Sequence, residues 1–419
     1  MSNKNKFDLG ELLIPAIFIL FYIIIRSIYF ADSLNFSTDQ ANFSLRALEI
    51  WKNKEVTLIG PAISLQLNGR EIFQGGAIYY FQLLFLLIGS FDPLKASYAF
   101  MIFSALSIIP LYFGMKWLSN KAAALTLIII YTLFPLFIIH TKFLWNPNFQ
   151  LALLPYSIFF LGLYARSKST GYLFITGLTL GFITQFHYQG VIVILLSLII
   201  LKNIHLTWKD ALILLVGIIF GLGNLILFEL RNQFYNTKTF FLYLQNFFSF
   251  SQKNSGSILK NPHYFLSILL MIYVLVLFFF KNRINRETNI LIFAGLSILS
   301  LSIFIQKPVQ GYGMAKDWYY HDEVKVYELI RSNNIKDFNI ANLIYDTKAA
   351  VQKYLHKKDD IAFDTENYST NMYLFVLNKN NDYMKNPAYE VNTFKPSTIV
   401  KKWSINAHHQ LYLLKRSHE

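Results

Sequence analysis

Leu12-Leu-Ile-Pro-Ala-Ile-Phe-Ile-Leu-Phe-Tyr-Ile-Ile-Ile-Arg26-Ser-Ile-Tyr-Phe30 is an apolar run whose only charge is Arg26. As a helix rising about 1.5 Å per residue it is about 28 Å long, close to the roughly 30 Å of bilayer hydrocarbon. The pattern recurs without any acidic or basic residue in 122–139, 211–227, 264–280 and 290–305. Shorter or less pure apolar segments occupy 77–90, 96–115, 149–165, 172–186 and 190–201. Of 419 residues, 54% are hydrophobic and 15% charged, against about 25% charged in an average soluble domain. A soluble globular enzyme and a disordered chain are excluded, and the absence of cysteine excludes a disulfide scaffold. The chain reads as an α-helical polytopic membrane protein with about nine to ten transmembrane helices.

After Gln306 the composition changes, and no later run is long enough to span a bilayer. Alternation in Phe338-Asn-Ile-Ala-Asn-Leu-Ile, Met372-Tyr-Leu-Phe-Val-Leu and Gln410-Leu-Tyr-Leu-Leu predicts strands, and 324–331 and 349–355 read as short helices. The expected organisation is a transmembrane domain over 1–306, with a first loop at 31–76, and a small C-terminal α/β soluble domain over 307–419.

The formal charge of +14 is distributed as a topological mark. Residues 1–306 hold 22 Lys/Arg against 11 Asp/Glu, and residues 307–419 hold 16 against 13. No basic face of a folded domain is visible, so no nucleic-acid partner is expected. The short-loop cations Lys116/Lys121, Arg166/Lys168, Lys202/Lys209 and Lys281/Arg283/Arg286 predict cytoplasmic loops. Lys4 and Lys6 predict a cytoplasmic N-terminus, with the first apolar run a retained signal anchor, since no small-x-small cleavage site follows it. Both statements hold together if 77–90, too short to cross, is juxtamembrane or re-entrant. Nine crossings follow, in the plasma (inner) membrane, with the first loop, the 231–262 loop and the C-terminal domain external or periplasmic. Ten crossings is the other arrangement.

Acids are scarce in the membrane portion, and five of its eleven lie in the first loop. Asp39 stands in Phe36-Ser-Thr-Asp-Gln-Ala-Asn-Phe-Ser-Leu-Arg46, and Arg46 lies two helical turns on, on the same face. A carboxylate there takes a proton from a hydroxyl while a guanidinium holds a phosphate. Equally, Ser37-x-x-Gln40 is a capping box, and Thr38 or Asp39 serves as a helix cap. Two polar clusters interrupt the apolar pattern at helix ends: Lys142-Phe-Leu-Trp145-Asn146-Pro-Asn148 and Gln185-Phe-His187-Tyr188-Gln189. Under nine crossings they fall on the same side of the membrane as Asp39. His187 is read either as a site residue or as an interfacial histidine bonded to backbone, and Trp145 and Tyr188 also suit an aromatic belt. No HExxH motif, Walker motif or dinucleotide fingerprint is present. No cofactor is expected and no metal ligands are assigned, a divalent metal being left open.

With these elements in view the chain resembles the GT-C glycosyltransferases, most of all family 39, the bacterial relatives of dolichyl-phosphate-mannose–protein mannosyltransferases. The resemblance rests on Thr38-Asp39-Gln-Ala, Gly75-Gly-Ala-Ile-Tyr-Tyr80, Trp145-Asn-Pro and Gln185-Phe-His-Tyr within residues 8–230. Gln40 stands where many members carry a second acid, and Gln74-Gly75-Gly76 where many carry a Lys-Pro-Pro-like entry. The resemblance implies transfer of a sugar from a polyprenyl-phosphate donor to an acceptor hydroxyl on a lipid, glycan or protein, at the external face. It implies Asp39 as base or acceptor-orienting group. The substrate and lipid-phosphate contacts would fall to Arg46, Lys142, Trp145, Asn146, Gln185, His187 and Tyr188. Two other readings are a transporter or flippase, and an envelope polysaccharide polymerase or ligase using Arg231 or Lys238.

Overall fold

A computed structural model describes residues 9–67, 69–249, 262–305, 311–361, 363, 367–379 and 386–417. Lys4 and Lys6, and the expected boundary at 306/307, lie outside the described residues. In chain order the helices begin with α1 (Leu13–Ser27), α2 (Thr38–Asn53), α3 (Ala77–Ile88), α4 (Pro93–Leu106), α5 (Ile108–Leu118), α6 (Lys121–Leu133) and α7 (Pro135–His140). They continue with α8 (Asn146–Ser167), α9 (Thr170–Phe186), α10 (Gly190–Asn203), α11 (Trp208–Gly221), α12 (Gly223–Arg231), α13 (Tyr235–Ser249), α14 (Leu266–Phe279) and α15 (Arg286–Ile305). The last are α16 (Tyr320–Ser332), α17 (Ala350–Lys358) and α18 (Tyr389–Asn392). The strands are β1 (Ile59–Leu67), β2 (Arg70–Gly75), β3 (Phe338–Asn342), β4 (Tyr373–Lys379), β5 (Ser397–Ser404) and β6 (His409–Arg416). The chain divides into two compact units: Met1–Ile28, Glu55–Gly89 and Lys95–Gln306, and Tyr29–Lys54, Ser90–Leu94 and Lys307–Glu419.

All the apolar segments of the sequence form helices of the first unit. Among the described residues five helices are long and apolar enough to cross a membrane: Gly10–Ser27, Pro93–Leu118, Asn146–Ser167, Pro262–Phe279 and Arg286–Phe304. α11 and α12, bent by 69°, make a sixth if the pair is one span, and α3, α6 and α10 are shorter apolar helices. The protein is a multi-pass membrane protein.

Arg26, the charge inside the first run, has a structural employer. Pro135 has no N–H and cannot bond the carbonyl of Tyr131 four residues back, so α6 ends there. Arg26 is fully buried and caps that broken end. It donates from Nη1 to Thr132 O at 3.0 Å, from Nη2 to Tyr131 O at 3.3 Å, and from Nε to Thr141 Oγ1 at 2.6 Å. Its guanidinium also lies 3.3 Å from the centre of the Tyr22 ring.

Glycines set the tightest helix pair. A Cβ on Gly177 of α9 would stand 2.2 Å from Leu214 O, and one on Gly217 of α11 would stand 2.2 Å from Phe174 O. Gly181 and Gly221 repeat the contact one turn on. Small residues spaced by four let backbones approach where lipid offers no hydrophobic drive. The first unit also holds a hairpin and a helix in its polar stretches. β1 and β2 form an antiparallel hairpin, with Ala62 opposite Phe73 and Leu67 opposite Arg70. α13 begins just after Arg231, where Glu229 accepts from the N–H groups of Asn236 and Thr237, each at 3.0 Å.

The second unit holds a four-stranded sheet in the order β3-β4-β6-β5, with β3 and β4 parallel and the other pairs antiparallel. The expected strands appear as β3, β4 and β6 and the expected helices as α16 and α17; β5 and α18 were not anticipated. Phe375, Leu377, Leu411 and Leu413 face one core with Trp318, Val326 and Ile340, while Leu374, Val376, Tyr412 and Leu414 face another with Phe394. The first core closes on the buried carboxylate of Glu323, which accepts from Trp318 Nε1 at 2.7 Å, Tyr345 Oη and Gln352 Nε2. Burial pushes its pKa up against the lowering effect of those donors. α2 packs against α17, and Phe36, just before α2, meets the rings of Tyr320 and Tyr354 at 5.8 and 5.4 Å.

Candidate active site

The two predicted residues of the second unit share α2. Its N-terminus is closed by Gln40, whose Oε1 accepts from Ser37 N at 3.2 Å and from Ser37 Oγ at 2.9 Å. The cap is therefore the Ser37–Gln40 pair. Asp39 sits in the first turn with an exposed side chain, where negative charge suits the helix dipole. A carboxylate so placed can accept a hydroxyl proton. Arg46 is half-buried and donates from Nη1 to Glu49 at 3.2 Å, and Glu49 also accepts from Lys357 at 2.6 Å. Burial alone would raise the Glu49 pKa; the Lys357 and Arg46 charges outweigh it and hold the carboxyl below its usual range.

In the first unit, Asn146, Gln185 and Tyr188 converge on the end of strand β2. Asn146 Nδ2 donates to Gln74 Oε1 at 3.2 Å, and Tyr188 Oη donates to Phe73 O. Gln185 donates to Gly221 O at 2.6 Å, which ties this corner to the glycine seam. Its Oε1 is buried without a hydrogen-bond partner among the described residues. A Cβ on Gly75 would stand 2.4 Å from that oxygen, so only glycine fits beside it. Asn236 of α13 completes the corner by pairing with Phe73 as a strand would, accepting from its N and donating to its O, both at 3.0 Å.

Trp145 and His187 belong to a second cluster, of aromatic rings packed mostly at tilted angles. His263 lies 4.4 Å from Trp145 and 4.1 Å from Tyr264, and Tyr264 lies 5.2 Å from His187. His140 is 6.2 Å from both Trp145 and His263, with Nδ1 3.2 Å from Asn148 Oδ1. Burial, reinforced by His263, lowers His187 to about 4, so its imidazole is neutral near pH 7. The His187 carbonyl accepts from Gln150 Nε2 at 2.7 Å. Lys142 is buried, and burial together with the Arg26 charge lowers its ammonium to about 7. A cation so close to losing its proton is one that an arriving anion would stabilise. Among the described residues no group of three His, Asp or Glu side chains is placed to hold a metal ion.

Sequence reading missed Gln74, Asn236, His140, His263 and Tyr264. For Gln74 there was a signal, since Ala62-Ile-Ser-Leu-Gln-Leu67 alternates and Asn68-Gly69 is a hairpin-turn pair. The rings come from separate segments and meet only in the fold.

The fold of a helical membrane unit and a small mixed-sheet unit is shared with solved structures. ArnT from Cupriavidus metallidurans bound to undecaprenyl phosphate matches over 97% of this chain and 98% of that one, at TM-score 0.57 and 9% identity. The apo state of the same enzyme matches over the same shares at TM-score 0.51 and 10% identity. An Archaeoglobus fulgidus oligosaccharyltransferase in complex with Zn and sulfate aligns over 87% of this chain and 67% of its own, at TM-score 0.46 and 10% identity. No protein-family model matches the chain, and neither does any curated protein sequence. At these identities the likeness is one of fold.

Proposed function

We propose that this protein is a membrane glycosyltransferase that moves a sugar from a polyprenyl-phosphate donor to an acceptor hydroxyl of a lipid, glycan or protein. The observation that carries the reading is the match, over nearly the whole of both chains, to a structure of ArnT that holds undecaprenyl phosphate. Asp39 accepts the proton of the acceptor hydroxyl while its oxygen attacks the anomeric carbon. The carbon–oxygen bond to phosphate breaks on the opposite face, giving inversion, and polyprenyl phosphate departs with the bonding pair. Arg46, two turns along α2 from Asp39, offsets the charge that develops on that phosphate by charge-assisted hydrogen bonds. Asn146, Gln185 and Tyr188 position the β2 corner, and Trp145 and His187 offer ring surface to the donor. The prenyl tail lies among membrane helices and lipid. No step is assigned to a metal.

Nine crossings, with the first loop and the C-terminal domain external in the plasma membrane, complete the proposal. Reporter fusions at Ser119 and Asp346 are expected to report cytoplasmic and external positions; two reports from one side contradict nine crossings. The reaction is tested by reconstituting the purified chain in vesicles with a panel of polyprenyl-phosphate sugars and envelope acceptors. Acceptor-dependent release of polyprenyl phosphate is expected, and no release from any donor would overturn the reading.

A further inference from the structure

Glu49 lies one turn past Arg46 on α2 and takes one cation on each of its carboxylate oxygens. Oε2 accepts from Arg46 Nη1 at 3.2 Å, and Oε1 accepts from Lys357 Nζ of α17 at 2.6 Å. A turn further on, Lys52 donates to the Lys357 carbonyl at 2.8 Å and pairs with Asp360. Lys52 thus fastens α2 to the end of α17 independently of the Glu49 carboxylate.

A half-buried arginine head left to itself samples many rotamers, and it loses that freedom when it grips an anion. A carboxylate on one Nη removes part of the freedom beforehand. The guanidinium has five donors, so one bond to Glu49 does not exhaust the fork. By itself, however, the carboxylate would cancel the charge that draws a phosphate to Arg46. Lys357 offsets it, because two cations share one anion and the cluster keeps a net positive charge.

We infer that Glu49 is a positioning residue: it fixes the Arg46 guanidinium for a phosphate bound at α2, while Lys357 offsets the charge of the carboxylate. The inference rests on the phosphate-holding role proposed for Arg46 above. Charge and positioning predict opposite signs for the loss of Glu49. Removing a negative group beside a phosphate should tighten binding by charge alone, whereas releasing the guanidinium should weaken it.

The test is titration of the full chain in detergent with undecaprenyl phosphate, with an unfolding midpoint recorded for every variant. R46Q should weaken binding by about tenfold or more. E49Q should weaken it by about three- to tenfold at a midpoint near wild type, since partly exposed ion pairs contribute little to stability. In an R46Q background, E49Q should cause no further loss. K357Q leaves the carboxylate uncompensated and should weaken binding more at low salt than at high salt. Tighter or unchanged binding in E49Q would overturn the inference. So would an equal loss from E49Q with and without Arg46, which marks a structural tie between α2 and α17 instead. A salt-independent loss in K357Q would overturn the offset. Wild-type affinity in R46Q, or no saturable binding by the wild type, would refute the role of Arg46 itself and the inference with it.

Discussion

Replacing Arg26 by methionine keeps the length of the side chain and removes its donors. Three hydrogen bonds vanish, to Thr132 O, Tyr131 O and Thr141 Oγ1. Bonds from a charged donor are worth about 1.5–3 kcal/mol each net of desolvation, or about 4.5–9 kcal/mol if they simply added. They share one guanidinium and do not add, and the α6 end can relax. The expected cost is therefore about 3–5 kcal/mol, the range for removing one partner of a buried charged group. Arg26→Lys keeps the charge but not the fork and should fall between. The assay is thermal unfolding of the detergent-solubilised chain, followed by the fluorescence of Trp117 and Trp145 in the first unit. At roughly 2–4 °C per kcal/mol, Arg26→Met should lower the midpoint by on the order of 10 °C. Pro135→Ala supplies the N–H that Tyr131 lacks, so Arg26→Met should cost about 1 kcal/mol less in that background. A wild-type midpoint for Arg26→Met, or an identical loss with and without Pro135, would refute the capping role.

Gly75→Ala brings a Cβ to within 2.4 Å of Gln185 Oε1 and should weaken transfer by displacing that corner while leaving membrane insertion intact; unchanged initial rates would contradict it. Gly217→Val forces atoms into the backbone of α9 at Phe174 and is expected to cost about 1–3 kcal/mol by overpacking, read as a lower unfolding midpoint in the same assay. For His356, the unfolded chain takes up a proton near 6.5 and the folded chain only near 4. Between these values the unfolded state binds more protons, so the second unit loses stability as pH falls from 6.5 to 4, by about 3 kcal/mol in all. Hydrogen exchange in β3 and β4 measured across that range should show it. His356→Gln should flatten the dependence, and an unchanged slope would remove His356 as its cause.

The membrane helices were legible because the bilayer writes its thickness into composition, and every long apolar run became helix. The terminal sheet was legible wherever strands alternate. β5 was not, because Ser397–Ser404 is an edge strand with mostly exposed side chains and carries no alternating apolar face. The capping pair Ser37 and Gln40 could be read locally and holds as such. Asn146, Gln185 and Tyr188 were singled out as polar interruptions, but their common partner was not, since β2 meets them only through contacts more than seventy residues apart in sequence. The role of Arg26 was hidden for the same reason, because its partners begin at Tyr131.

The most direct test of the central claim is the initial rate of sugar transfer from a polyprenyl-phosphate donor by the Asp39→Asn variant in vesicles, with insertion and unfolding midpoint matched to wild type. The side chain is exposed and Ser37 and Gln40 form the cap, so the fold should survive the change. Loss of a positioned general base is expected to slow transfer about 10²–10⁴-fold with donor binding retained. A wild-type transfer rate in a correctly inserted Asp39→Asn protein would contradict the account.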